Sequence, residues 1–177
     1  MRKNIFQAFL LCAIILVNSA ASYAAGIEAI GWKAHVVKVA DGDTVTVVFD
    51  GLKPDFCSDK ERVRLIGINS TEMNLGKNIP PEQYAEKAKE YAEKTLLGKD
   101  VILSFDSVSD HKDRYGRLLC YVWIDGKLFN EMIVRDGLAY YYNKFQFEGR
   151  FMKRINTAQR SAQFDKVGLW SGKGRYF

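Results

Sequence analysis

The sequence is poor in the residues that build metal clusters and rigid corners: 177 residues hold three cysteines, three prolines and two histidines. With only His35 and His111, and with no CxxC pair, there is no zinc site and no histidine-centred catalytic cluster. Neither histidine is assigned a role. There is no internal repeat, no low-complexity tract and no long linker, so the chain reads as one domain with appendages. A membrane span is also missing, because the apolar run Phe9 to Val17 falls short of the roughly 20 residues a span requires. What is present is a core: 47% hydrophobic and 13% aromatic residues exclude a disordered chain.

That short apolar run has a different reading. Arg2 and Lys3 precede it and the small residues Ser19 to Ala25 follow it, the pattern of a secretory signal peptide cleaved after Ala24. The expected organisation is a signal peptide at 1–24 and a domain at 25–177, secreted or periplasmic, without stable membrane association once the signal is removed. Cleavage removes Arg2 and Lys3 and no acid, which lowers the formal charge from +5 to +3. A mildly basic chain suits a polyanionic partner but does not by itself demand one. Cys57 and Cys120 remain after cleavage, either as one disulfide or as two separate buried thiols.

Alternation of apolar residues in HVVKV and TVTVVF around ADGD predicts a hairpin with Asp41-Gly42 at its turn in a left-handed conformation. Arg62 to Ile68 reads as a buried third strand, Val101 to Phe105 as a fourth and Arg117 to Ile124 as a fifth. The spacing predicts a helix from Pro80-Pro81 with Tyr84, Ala88, Tyr91 and Thr95 on one face and Gly98 as its stop. A short helix capped by Asn130 should end at Gly137, and a last one should run from about Glu148 to Val167, closed by Gly168. The fold class expected is α+β, a five-stranded barrel of the oligonucleotide-binding (OB) type packed by about three helices.

Three stretches could carry chemistry. In DGDT, turn formation accounts for Asp41 but not for Asp43, an acid at the start of a strand, where β-propensity disfavours it. Asp43 is either a solvated turn residue or half of a metal site. Arg64 lies within an apolar strand and therefore needs an anion, either an internal acid such as Asp59 or Glu61 or a bound phosphate. In DRYGR, Arg114 and Arg117 flank a Tyr-Gly turn that could aim a guanidinium fork at a phosphate or simply face solvent. The run AYYYNKF offers Tyr140, Tyr141, Tyr142 and Phe145 either for stacking on bases or for packing in the core.

Taken in order, DGDT, RLIGI with Glu72 four residues later, DRYGR, DG, GLA and GLW resemble the staphylococcal nuclease (thermonuclease) family from about Val36 to Trp170. The resemblance implies a Ca²⁺-dependent phosphodiesterase acting on DNA and RNA, active as a monomer. It implies Asp43 and Thr44 as metal ligands, the latter through its carbonyl. It also implies Arg64 and Arg117 as the arginines on the phosphate, and Glu72 as the acid that positions or deprotonates the attacking water. Release of the 5′-oxygen would leave a 3′-phosphate. Where the family has a second metal-binding aspartate, this chain has Asn69, and Thr71 stands where a proline is usual. Asn69 still offers an oxygen to the metal but one charge less, so weaker metal binding is expected. The alternatives are a nucleic-acid-binding module whose metal site is too weak for turnover and an exported structural domain with its charges paired internally.

Overall fold

The computed structural model describes residues 31–71 and 84–172. The expected signal peptide, Glu72 and the expected Pro80-Pro81 helix start lie outside the described residues. Among the described residues there are eight strands: β1 (Trp32–Asp41), β2 (Thr44–Val48), β3 (Lys60–Leu65), β4 (Ile68–Ser70), β5 (Asp100–Phe105), β6 (Leu118–Ile124), β7 (Lys127–Leu128) and β8 (Ala139–Tyr141). The helices are α1 (Ala85–Leu96), α2 (Phe129–Arg135) and α3 (Gly149–Asp165).

The sheet runs β3-β2-β1-β5-β6, and a parallel pairing of β3 with β6, Val63 opposite Leu118 and Leu65 opposite Cys120, closes it into a five-stranded mixed barrel. This is the expected α+β barrel with three helices. Closure leaves none of the five strands as a free edge. Val36, Val45, Val63, Leu65, Leu103 and Leu118 fill the interior, each at most 1% exposed. Cys57 and Cys120 are both buried and both free, so the two-thiol reading holds.

Several elements differ from expectation, each for a local reason. The strand expected over Arg62 to Ile68 breaks at Gly67, whose φ of 74° redirects the chain into β4, which pairs with β8. A side chain at Gly67 would also lie 3.0 Å from both Met152 and Ile155 on α3. On α1 the buried stripe is Ala85, Ala88, Ala92 and Leu96, not the stripe through Tyr84 and Tyr91, because small residues let the helix sit closely on β1. Asn130 caps nothing. It is fully buried inside α2, where its Oδ1 accepts from Val122 N and its Nδ2 donates to Ile66 O, each at 2.9 Å. It thereby ties β6 to the segment that precedes Gly67. α3 ends at Lys166 in a left-handed conformation, two residues before the expected Gly168. Asp125 and Gly126, with φ of 48° and 73°, form the left-handed hairpin turn between β6 and β7.

Candidate active site

The turn between β1 and β2 is built differently from the expected one. Neither Asp41 nor Gly42 adopts positive φ. Asp41 Oδ1 instead accepts a hydrogen bond from Asp43 N at 3.1 Å, a side chain closing the turn in place of a left-handed backbone. Gly42 is required by space. A Cβ there would fall 2.8 Å from Ser70 Cβ, 3.0 Å from Ala88 Cβ and 3.2 Å from Ile133 Cδ1, so this turn is clasped between β4, α1 and α2.

The clasp drives Asp43 inward, to 4% exposure. Its Oδ2 accepts from Ser70 N at 2.7 Å and faces Arg64 Nη2 at 3.1 Å, while Oδ1 accepts from Thr44 Oγ1 at 3.0 Å. Desolvation nevertheless outweighs the Arg64 charge and these hydrogen bonds, and with the neighbouring Asp41 adding repulsion the carboxyl pKa is pushed up to about 6. The solvated-turn reading of Asp43 is therefore overturned. So is the pairing of Arg64 with Asp59 or Glu61. Asp59 pairs with Lys53 and Glu61 with Lys112, whereas Arg64 reaches Asp43 and also donates to Asn69 Oδ1 at 3.1 Å and to Leu65 O. Asp43 Oδ2 and Asn69 Oδ1 thus lie equally far from a single guanidinium nitrogen, so two of the three expected metal ligands meet at the same arginine.

Arg117 reaches the same region from the start of β6. Across the parallel pair Arg64 stands opposite Leu119, two residues beyond Arg117. Asp113 holds Arg117 through Nε and Nη2, both at 2.7 Å, and accepts from the backbone N–H groups of Tyr115 and Arg117 at 2.9 Å. Burial works against the Asp113 carboxylate, but these bonds keep its pKa below the ordinary value. Tyr115, 65% exposed, lies between Arg114 and Arg117, whose guanidinium carbons are 4.8 and 5.5 Å from its ring centre.

Asp43, Thr44, Arg64, Asn69 and Arg117 all line one open cleft of about 970 Å³, together with Asp41, Arg62, Lys112, Tyr142 and Phe145. Of the tyrosine run, Tyr142 and Phe145 face this cleft. Tyr140 packs edge-on against Trp170, and Tyr141 N donates to Gln159. Both histidines are used structurally. His35 pairs with Asp100 at 2.9 Å and His111 stacks on Phe56 at 4.4 Å. Arg62, Lys112 and the Asp113 clamp escaped the sequence reading, although strict alternation in KERVRL already puts Arg62 on the face of Arg64.

Among the described residues no group of three or more His, Cys, Asp or Glu could hold a metal ion. What the cleft offers is an all-oxygen set: the Asp43 carboxylate, the Asn69 amide, Thr44 and, nearby, Asp41. Such a set fits a hard cation. The raised pKa of Asp43 marks a carboxylate whose burial is incompletely offset, a condition an added cation would relieve.

A closed barrel with two arginines and a buried carboxylate converging in one groove is the frame of a protein that handles phosphate esters. Residues 62–172 match the family described as staphylococcal nuclease homologue. The chain is 34% identical to a thermonuclease of Staphylococcus hyicus over 139 residues, covering 77% of this chain and 74% of that protein. It is 33% identical to a thermonuclease of Staphylococcus intermedius over 138 residues, covering 76% and 74%. Endonuclease YncB of Bacillus subtilis is 28% identical over 137 residues, covering 77% and 61%. The chain belongs to the staphylococcal nuclease homologue family, and its class is that of endonuclease-type hydrolases.

Proposed function

We propose that residues 25–177 form an exported, monomeric, metal-dependent nuclease that hydrolyses phosphodiester bonds of DNA and RNA, with Ca²⁺ as its cation. The observation that carries this reading is the meeting of Arg64 and Arg117 in one cleft with Asp43 and Asn69. Two guanidinium forks that share a groove suit the nonbridging oxygens of one phosphate, and they neutralise charge as it builds toward the transition state. Asp43, Asn69 and the Thr44 carbonyl would hold the cation. When bound it would supply Lewis acidity that this oxygen set lacks.

Glu72 is assigned the proton of the attacking water on the strength of the family pattern. Water attacks phosphorus in line, a new P–O bond forms, the bond to the 5′-oxygen breaks, and that oxygen takes a proton from solvent. The product keeps a 3′-phosphate. Arg64 and Arg117 do not wait empty: Asp43, Asn69 and Asp113 hold them extended into the groove, so substrate exchanges one anionic partner for another. The open cleft suits a single or locally unpaired strand.

The test is cleavage of single-stranded DNA by the purified mature chain with Ca²⁺, Mg²⁺, Mn²⁺ or EDTA, beside Glu72→Gln and Arg64→Ala. Cutting that needs metal and is lost in both variants is the expected result. DNA binding without cutting under any metal would overturn it in favour of a binding module, with the neutral Asn69 as the cause.

A further inference from the structure

β3 sorts its side chains strictly by side. Glu61, Val63 and Leu65 are buried, whereas Lys60 and Arg62 are exposed and Arg64 is half-buried. Arg62 therefore stands on the face of Arg64, two residues back, at a separation of about 6.7 Å along the strand. Both line the cleft.

The charged groups of this groove differ in how they are occupied. Arg64 is tied to Asp43, Arg117 to Asp113 and Lys112 to Glu61. Among the described residues the Arg62 side chain has no hydrogen bond or ion pair. On its β2 side no acid faces it. Arg62 pairs with Thr46 and Thr46 with Lys38, so its row reads Lys38, Thr46, Arg62, with a second cation at its far end. The adjacent acid, Glu61, points the other way, where it accepts from Ser58 N and Lys112 Nζ.

We propose that Arg62 is a second phosphate subsite, which holds the phosphate next to the one gripped by Arg64. The separation of the two residues along β3 is one that an extended polynucleotide spans between neighbouring phosphates, so the substrate strand runs along the outer face of β3 toward Lys60. This rests on the nuclease reading. It adds to that reading a requirement for at least two consecutive phosphates and a direction for the strand.

The experiment is binding of single-stranded DNA oligonucleotides to the full mature chain in EDTA, by fluorescence anisotropy across a salt series. It uses unmodified strands and strands in which one linkage at a time is a neutral methylphosphonate, with wild type, Arg62→Gln and Arg62→Lys. Arg62→Gln is expected to weaken binding several-fold, on the order of three to ten, and to flatten the slope of log K against log salt by about 0.7. Arg62→Lys should recover most of both. In wild type one linkage beside the most sensitive one should cost affinity when neutralised, and in Arg62→Gln that cost should vanish while the others persist. An Arg62→Gln protein with wild-type affinity, slope and linkage profile overturns the subsite and leaves the nuclease reading standing. A wild-type protein that binds no strand at all overturns both.

Discussion

Two arginines of the cleft, Arg64 and Arg117, are held in opposite ways. Arg64 takes its partners from three places, the β1–β2 turn through Asp43, the backbone at Leu65 and β4 through Asn69. Arg117 takes its side-chain partner from its own turn, where Asp113 closes a loop of four residues. Arg64 is therefore placed by the tertiary structure and Arg117 by local sequence. The first answers to whatever happens at Asp43, and the second is nearly indifferent to the rest of the fold.

The sharpest way to break that contrast is to remove each guanidinium. Arg64→Ala and Arg117→Ala should each lower single-turnover cleavage by about 10²–10³-fold, the usual loss for one transition-state donor. They should part in urea unfolding at neutral pH. Arg64→Ala leaves a buried carboxylate without its counter-charge and should cost about 3 kcal/mol, whereas Arg117→Ala, at a partly exposed pair, should cost less than about 1 kcal/mol. Equal losses of stability would erase the distinction.

The pH response near 6 should fall on the Arg64 side alone. Because the folded pKa of Asp43 is raised to about 6, the native state holds this proton more tightly than the unfolded chain does. Its contribution to stability is fully present at pH below the ordinary carboxylate value and is lost as pH rises through about 6. Without added cation, Asp43→Asn should flatten that part of the stability profile, read by thermal melts from pH 4 to 8. Cation binding competes with the same proton, so Ca²⁺ affinity should fall as pH drops below 6.

A smaller effect is expected from Asn69→Asp, which adds a charge to the proposed metal set while keeping the oxygen that Arg64 grips. Ca²⁺ affinity by calorimetric titration should rise about tenfold. An unchanged affinity would remove Asn69 from the ligand set. The smallest change belongs to Asp113→Asn, which loosens Arg117 at a cost of about 0.5–1 kcal/mol in urea unfolding and should leave the pH profile near 6 untouched.

The barrel could be read from the chain because alternation and turn residues are local signals. HVVKV, VILSF and RLLCYVWI announce strands wherever they stand. Asp43, Arg64 and Arg117 were also legible, through residue types that their positions alone did not explain. What stayed hidden depends on contacts between distant segments. Nothing near Asn130 in the sequence reveals that its amide bridges Val122 and Ile66, and it looked like a cap because asparagine commonly is one. The Asp41-Gly42 dipeptide suggested a left-handed turn because the usual reason for glycine is conformational, and here the reason is the bulk of Ser70, Ala88 and Ile133. The partner of Arg64 stays hidden likewise, since Asp59 and Glu61 stand near it in sequence whereas Asp43 arrives from the β1–β2 turn.

That crowded glycine also has a consequence in time. Asp43 owes its burial to a turn that β4, α1 and α2 must all grip, and these come from stretches of chain as far apart as Ser70 and Ile133. A chain still being synthesised already carries Asp43 and Arg64, yet lacks the helix that will press the turn into place. If Asp43 serves as proposed, cutting would require the last of these pieces to dock, and an unfinished or unfolded copy would not cut the nucleic acids around it.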